Sequence, residues 1–208
     1  MKKIAIIGAG MIGATTARLF VDAGYDVALS NSRGPATLAR LVKDLGPKAH
    51  AVTAAEAARW GDLVLLAVPW RRPEALPPAD TVRGKIVIDA MNPYAADGSI
   101  ADLGSATSSE ETRKRLPGAR LVKAFNTIYY KHLASRGRQD APLDERHAIF
   151  VAGDDDEAKR DVMGLIEAIG FAPVDTGSLA EGGRRQQPNT PLYNQILTRR
   201  EALTLLRR

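Results

Sequence analysis

The sequence predicts a doubly wound α/β sheet, mostly parallel, and three observations carry that prediction. Short aliphatic or β-branched runs alternate with helical stretches almost to the end of the chain. The runs are apolar nearly throughout rather than at every second position, and a glycine-rich turn joins the first run to the first helix. Continuously apolar strands are those that helices cover on both faces, which is the situation of a parallel sheet. The 208 residues, 45% hydrophobic and 25% charged, suffice for one such domain and leave no room for a large second one. We therefore read 1–208 as a single domain in which 178–208 form a short helical C-terminal extension.

Taken in order, Lys3 to Ile7 reads as the first strand, Met11 to Ala23 as the first helix and Asp26 to Ser30 as the second strand. A helix after Pro35, a short strand at Ala49 to Val52, a helix through Ala54 to Arg59 and a strong strand within Asp62 to Val68 follow. Further strands are expected at Lys85 to Asp89, Arg120 to Ala124, Ala148 to Ala152 and Pro173 to Asp175. Asp154, with Glu157 three residues on, is placed to cap a helix whose apolar stripe Val162, Leu165, Ile166 and Ile169 stops at Gly170. The acidic run Asp154-Asp155-Asp156 is thus helix-start chemistry rather than a calcium site. Thr198 and Glu201 form a capping box ahead of the last helix. Ala134 to Arg146 and Glu181 to Pro191 read as loops.

Composition excludes several functions. The net charge of +5 is scattered in basic pairs, and 5% aromatic residues give no interleaved stacking surface, so nucleic-acid binding is not expected. With no cysteine there are no disulfides, thiolate nucleophiles or cysteine metal sites, which agrees with a cytoplasmic chain. The lysines at positions 2 and 3 ahead of an apolar run imitate a secretion signal, but Gly8, Gly10, Gly13 and Arg18 interrupt it. No run approaches the roughly 18 apolar residues that a membrane helix needs. His50, His132 and His147 are not spaced as metal ligands, and no metal is expected.

Two local patterns carry the chemistry. In "GAGMIG", Gly8 permits a tight turn, Gly10 lets the backbone approach a pyrophosphate and Gly13 lets the helix pack close to the sheet, while the helix N-terminus offers free N–H groups to phosphates. This strand-turn-helix context identifies a dinucleotide-binding Rossmann domain, with Ala9, Met11 and Ile12 completing the turn. The second pattern is "VALSNSRGP". Where an acid usually holds the ribose of NAD, the chain has Asn31, Ser32 and Arg33, and a hydroxyl with a guanidinium suits a 2′-phosphate. The cofactor implied is NADP(H).

Two segments leave the carboxyl ends of strands, where ligands of such sheets lie. Val68, Pro69 and Trp70 end the fourth strand and are assigned to the cofactor. Asn126, Thr127, Ile128 and Tyr129 end the sixth and, with Trp70, form the expected substrate pocket, Asn126 also touching the cofactor. Asn126 and Thr127 suit a carboxamide or a ring edge; Trp70 is as well explained by packing. No tyrosine is followed four residues on by lysine, and no nucleophile elbow or P-loop occurs. No essential catalytic acid or base is expected; Asn126 and His132 are the candidates.

The glycine turn, "NSR", "LLAVPW", "ARLVKAFNTI", "VAGDDDEAKRDVMGLIEAIGF" and "VDTGSL" together resemble the F420-dependent NADP oxidoreductase family over nearly the whole chain. "KAFN" is similar also to the cytosolic part of six-transmembrane metalloreductases. The resemblance implies NADPH along the Rossmann turn and a flat deazaflavin or flavin, coenzyme F420, FMN or riboflavin, against its nicotinamide. It assigns Gly8 to Gly13, Ser32 and Arg33 to NADP and Pro69, Asn126, Thr127 and Ile128 to the hydride-transfer pocket, and it implies a homodimer. The chain departs from the pattern at Asn126, where deazaflavin users tend to carry histidine. The alternatives are an NADPH-dependent reductase of a small imine or carbonyl compound, and a non-catalytic NADP(H)-sensing module.

Overall fold

The computed structural model describes residues 2–207. Strands β1 (Lys3–Ile7), β2 (Asp26–Ser30), β3 (Ala49–Ala51), β4 (Leu63–Leu66), β5 (Ile86–Asp89), β6 (Arg120–Ala124), β7 (Ala148–Gly153) and β8 (Ala172–Asp175) form one sheet in the order β3-β2-β1-β4-β5-β6-β7-β8. Neighbours run parallel throughout except β6 and β7, which are antiparallel with Ala124 opposite Val151. From β1 the chain winds outward to β3 and then returns to place β4 on the other side of β1. The topological switch point, where the sheet opens a crevice, therefore lies between β1 and β4.

Helices α1 (Met11–Asp22), α2 (Ala39–Leu45), α3 (Ala54–Trp60), α4 (Ser108–Arg115), α5 (Tyr130–Ser135), α6 (Asp156–Ala168), α7 (Glu181–Arg185) and α8 (Arg199–Leu206) cover the sheet. Alternate residues of β1 show why the strands read as continuous apolar runs. Ile4 and Ile6 pack with Phe20 of α1 and Ile166 of α6 on one face, while Ala5 and Ile7 pack with Ala57 of α3 and Leu66 on the other. Both faces are core. A third, smaller cluster joins Phe150 and Val174 to Leu192 and Ala202 of α8, so Leu192 and α8 pack against the β7–β8 edge of the sheet.

Three local expectations are corrected. The N-cap of α6 is Asp155, whose carboxylate accepts from the Ala158 N–H, while Asp154 accepts from the Leu179 N–H and pairs with Arg113. Asp155 is better placed because Arg120 grips it from the side at 2.6 and 3.0 Å. The stretch from Glu181 contains the short helix α7, because Gly182 lets the backbone reach Thr176: a Cβ there would meet its carbonyl at 2.6 Å. The stretch from Ala134 holds the end of α5 and a 3-10 turn at Leu143–Glu145. The stripe on α6 and the Thr198–Glu201 capping box are as expected.

Candidate functional site

The glycine turn is built from three glycines with three different reasons. A Cβ on Gly13 would lie 1.8 Å from the Gly8 carbonyl oxygen, and one on Gly8, at φ +105°, would lie 2.4 Å from the Ala67 oxygen and 3.0 Å from Val68. Those two are demanded by the packing of α1, β1 and β4. At Gly10 a Cβ would meet nothing within 4 Å. No protein contact requires glycine there, so the vacant volume is available for a ligand to reach the backbone. The N-cap of α1 is Gly10 itself, without a side-chain cap and with no acid in the first turn, which leaves its N–H groups for an anion. Ala9 and Ile12 are partly buried against the core, and Met11 is 64% exposed.

Beyond β2, Ser32 and Arg33 are exposed, and neither side chain has a partner among the described residues. Asn31 serves the loop: its amide donates to Thr37 Oγ1 at 2.9 Å and its Oδ1 accepts from the Arg33 N–H at 3.0 Å. It shapes the loop that presents the other two. After β4, Val68 lies against Gly8 and Pro69 is exposed at the head of a turn closed by the Arg72 N–H on its carbonyl. The Trp70 indole is engaged by α4, donating to the Ser108 carbonyl at 3.2 Å beneath the Arg115 guanidinium, 4.7 Å from the ring centre. Its contacts are those of the packing explanation.

The exit of β6 is strained. Phe125 is fully buried with φ +65°, a left-handed conformation that costs a bulky residue on the order of 1–3 kcal/mol. Its ring is held edge-on to Phe20 with centroids 6.3 Å apart. This turn brings Asn126 against Asn92 in a reciprocal pair. Asn126 Nδ2 donates to Asn92 Oδ1 at 3.1 Å and to the Gln186 carbonyl at 2.7 Å, and Asn92 Nδ2 donates to the Asn126 carbonyl at 2.9 Å. The Asn126 Nδ2 bonds fix the amide's orientation and leave its Oδ1, though buried, without a partner. Gln186 is alike: Nε2 donates to Thr176 at 2.8 Å and Oε1 has none. Thr127 and Ile128 are buried, the Thr127 carbonyl accepts from the Asn194 N–H at 2.8 Å, and Tyr129 is 41% exposed.

Asn92 is positioned in turn by a buried ion pair. Asp89, at the end of β5, accepts from the Met91 N–H at 2.9 Å and from Ser109 Oγ at 2.7 Å; Lys123, at the end of β6, donates to the Met91 carbonyl at 3.1 Å. Their charges are 3.7 Å apart and both side chains are wholly buried. Burial pushes the Lys123 ammonium below its ordinary range, and Asp89 partly restores it. Sequence reasoning missed Asp89, Asn92, Lys123 and Gln186. Only the polar side chains at the carboxyl ends of two otherwise apolar strands could have pointed to the ion pair.

His132 sits on α5, one turn beyond the pocket residues. Its ring is 5.6 Å from Tyr129 and 6.4 Å from His147, centre to centre, and its buried Nδ1 has no partner. His147 stands just before β7, and burial, with the Arg136 and His132 charges, pulls its pKa down to about 4. No group of three or more His, Cys, Asp or Glu among the described residues could hold a metal ion, and no helix there is long and apolar enough to cross a membrane.

Residues 3–93 match the family described as NADP oxidoreductase, coenzyme F420-dependent. The chain is similar to that family over this stretch, a little under half of its length. Its matched stretch holds the glycine turn, the Ser32–Arg33 loop, the β4 exit and Asn92; the β6 exit lies outside it. The chain is similar over nearly its whole length to two solved structures. A hypothetical protein, SMa0349 from Sinorhizobium meliloti, is 37% identical with a TM-score of 0.83, covering 95% of this chain and 96% of that one. A candidate F420-dependent NADP-reductase from Arthrobacter sp. FB24 is 27% identical with a TM-score of 0.79, covering 96% and 100%. The metalloreductase STEAP3 of Rattus norvegicus is 30% identical over 179 residues, 86% of this chain. The chain spans about a third, 34%, of the length of that curated relative.

Proposed function

We propose that this oxidoreductase moves hydride between NADP(H) and a planar deazaflavin or flavin acceptor. The observation that carries the reading is the vacant volume at Gly10, in front of an uncapped helix N-terminus and beside a loop whose free groups are Ser32 and Arg33. A pyrophosphate fits the first and a 2′-phosphate the second. These residues fit the cofactor that the family uses.

When bound, NADPH supplies the hydride and its ring the redox chemistry. The chain's own groups bind and orient. Gly10 and the first turn of α1 anchor the pyrophosphate, and Ser32 and Arg33 select the phosphorylated ribose. The unused Oδ1 of Asn126 is an acceptor for a carboxamide N–H. Pro69, Thr127, Ile128 and Tyr129 line a neutral slot that keeps water from a flat ring and offers it stacking area. Asp89 and Lys123, at the ends of β5 and β6, are engaged with each other and with the Met91 backbone. A proton needed by an isoalloxazine nitrogen comes from water.

Steady-state oxidation of NADPH with riboflavin, FMN, a deazaflavin and simple imines tests the reading. Turnover with at least one isoalloxazine or deazaflavin ring supports it. Turnover with imines alone, or with none of these, sinks it.

A further inference from the structure

The antiparallel turn of β7 produces a second cavity that the cofactor does not use. Because Ala124 stands opposite Val151, the start of β7 lies beside the exit of β6, and His147 faces α5. Between them opens a cavity of about 480 Å³ lined by His132, Arg136 and Arg138 on one side and by His147 on the other, with Glu145 and Glu201 completing its charged groups. The two guanidinium groups make no hydrogen bond or ion pair among the described residues, and the buried Nδ1 of His132 is unpartnered. Of the acids, Glu201 is already committed to the cap of α8, accepting from the Thr198 N–H and hydroxyl at 2.8 Å, and Glu145 is exposed to solvent. The cations are thus the groups left to be matched. Burial chiefly, and beside it the Arg136 and His132 charges, lowers the proton affinity of His147 on the facing wall.

The cavity also adjoins the slot. Tyr129, the last residue of the β6 exit, rests its ring on His132. Tyr129 and Ile196 are, with Met11, the exposed large apolar side chains among the described residues; one touches His132 and the other lines the cavity. A flat ring beside Thr127 and Ile128 thus has an apolar path toward two free arginines. We propose that this cavity is an oxyanion site that takes the phosphate-terminated tail of the acceptor, held by Arg136, Arg138 and His132. The proposal rests on the flavin-type reading of the function. Forked guanidinium donors match a phosphate's oxygens.

Riboflavin and FMN provide the test, since they share one ring and differ by one phosphate. In the wild-type chain the KM for FMN is expected to be at least about tenfold below that for riboflavin. In Arg136→Ala/Arg138→Ala that preference should vanish while riboflavin kinetics stay within about twofold, both side chains being exposed and unbonded. Equal KM values in the wild type, or a preference that survives in the double variant, would overturn the proposal. If neither flavin turns over, the functional reading is decided by the deazaflavin assay, and the cavity is judged separately with inorganic phosphate alone. Phosphate should then shift the imidazole resonances of His132 and His147 in the wild type and not in the double variant; no shift overturns the oxyanion site. A phosphate shift combined with equal flavin KM values assigns the site to the free ion and overturns the tail.

Discussion

The carboxyl ends of β1 and β6 face the same crevice and are built on opposite terms. Around β1, Gly10 has empty space where a side chain would be, the α1 N-terminus has no cap, and Ser32 and Arg33 have no protein partner. Around β6, Asn126 is tied to Asn92 and Gln186, and Thr127 to Asn194, beside a buried ion pair and a strained Phe125. The first end is left open by local sequence. The second is closed by residues distant in sequence: Asn126 and Gln186 are 60 positions apart, and Asn92 and Tyr193 are 101 apart. A cofactor common to a family needs a free cradle, whereas a slot for a particular acceptor needs walls of fixed position, and walls are made by long-range contacts.

The largest expected effect breaks the second end. Lys123→Met leaves Asp89 buried without its cation, and we expect a loss of about 3–5 kcal/mol in urea unfolding. The double variant Asp89→Asn/Lys123→Met should recover part of it, since no charge then remains buried. A single variant that loses less than about 1 kcal/mol would mean that the pair contributes little to holding β5 and β6. At the first end, Gly10→Val should weaken NADPH at least about a hundredfold in direct titration with thermal unfolding unchanged, because its side chain meets only the ligand's space. An unaltered dissociation constant in that folded variant would remove the cradle from the argument.

Next in size is the choice between cofactors. Arg33 is exposed and without a protein partner, so its contribution is to the ligand alone. We expect NADPH to bind more tightly than NADH by about 2–3 kcal/mol, and Arg33→Ala to erase most of the difference. Equal binding of the two cofactors by the wild type would show that the Ser32–Arg33 loop selects nothing.

The two ends also differ in how readable they were. Strands β1, β2 and β6 fall where their apolar runs place them, and the glycine turn, the Ser32–Arg33 loop and the capping box at Thr198 are local patterns with local causes. Helix α4 escaped because its buried face is Ser108, Ser109 and Thr112 rather than an apolar stripe; its hydroxyls bond Asp89 and a helix carbonyl. Helix α7 escaped because Gly182, which with Gly183 reads as loop, is there for close approach to the Thr176 backbone. Asn92 and Gln186 carry no local signal, since each matters through a partner that only the folded sheet brings near. Asp154 and Asp155 are equivalent as caps until Arg120 chooses between them.

A smaller effect tests the cavity side of β6 through pH. Unfolded, the His147 imidazole takes up a proton near its ordinary pKa of 6.5, but in the folded chain only near about 4. The unfolded state therefore binds more protons between these values. The stability that comes from keeping the ring neutral is complete above pH 6.5 and is lost as the pH falls toward 4, on the order of 2 kcal/mol by pH 5. His147→Gln should flatten that part of the stability–pH curve. Parallel curves for the two proteins would show that the ring titrates normally and that the neighbouring cations do not act on it.

The smallest expected effect concerns His132, and it asks whether the second end contributes chemistry or only shape. The groups assigned to the proposed slot beside Asn126 are neutral, and hydride passing between stacked rings requires of the protein chiefly position and dryness. His132 is one helical turn away, against Tyr129, with its buried Nδ1 unpartnered among the described residues. An imidazole so placed can help seat an anion, but it is not part of the slot's wall. His132→Ala should accordingly lower kcat with riboflavin less than about tenfold and leave NADPH affinity unchanged, with a larger effect on the KM for FMN. Loss of a thousandfold or more in kcat with riboflavin, at unchanged cofactor affinity, would mean that a side chain delivers a proton in the rate-limiting step. That result would turn the comparison around, making the β6 end the catalytic one and favouring reduction of an imine or carbonyl compound over a flavin.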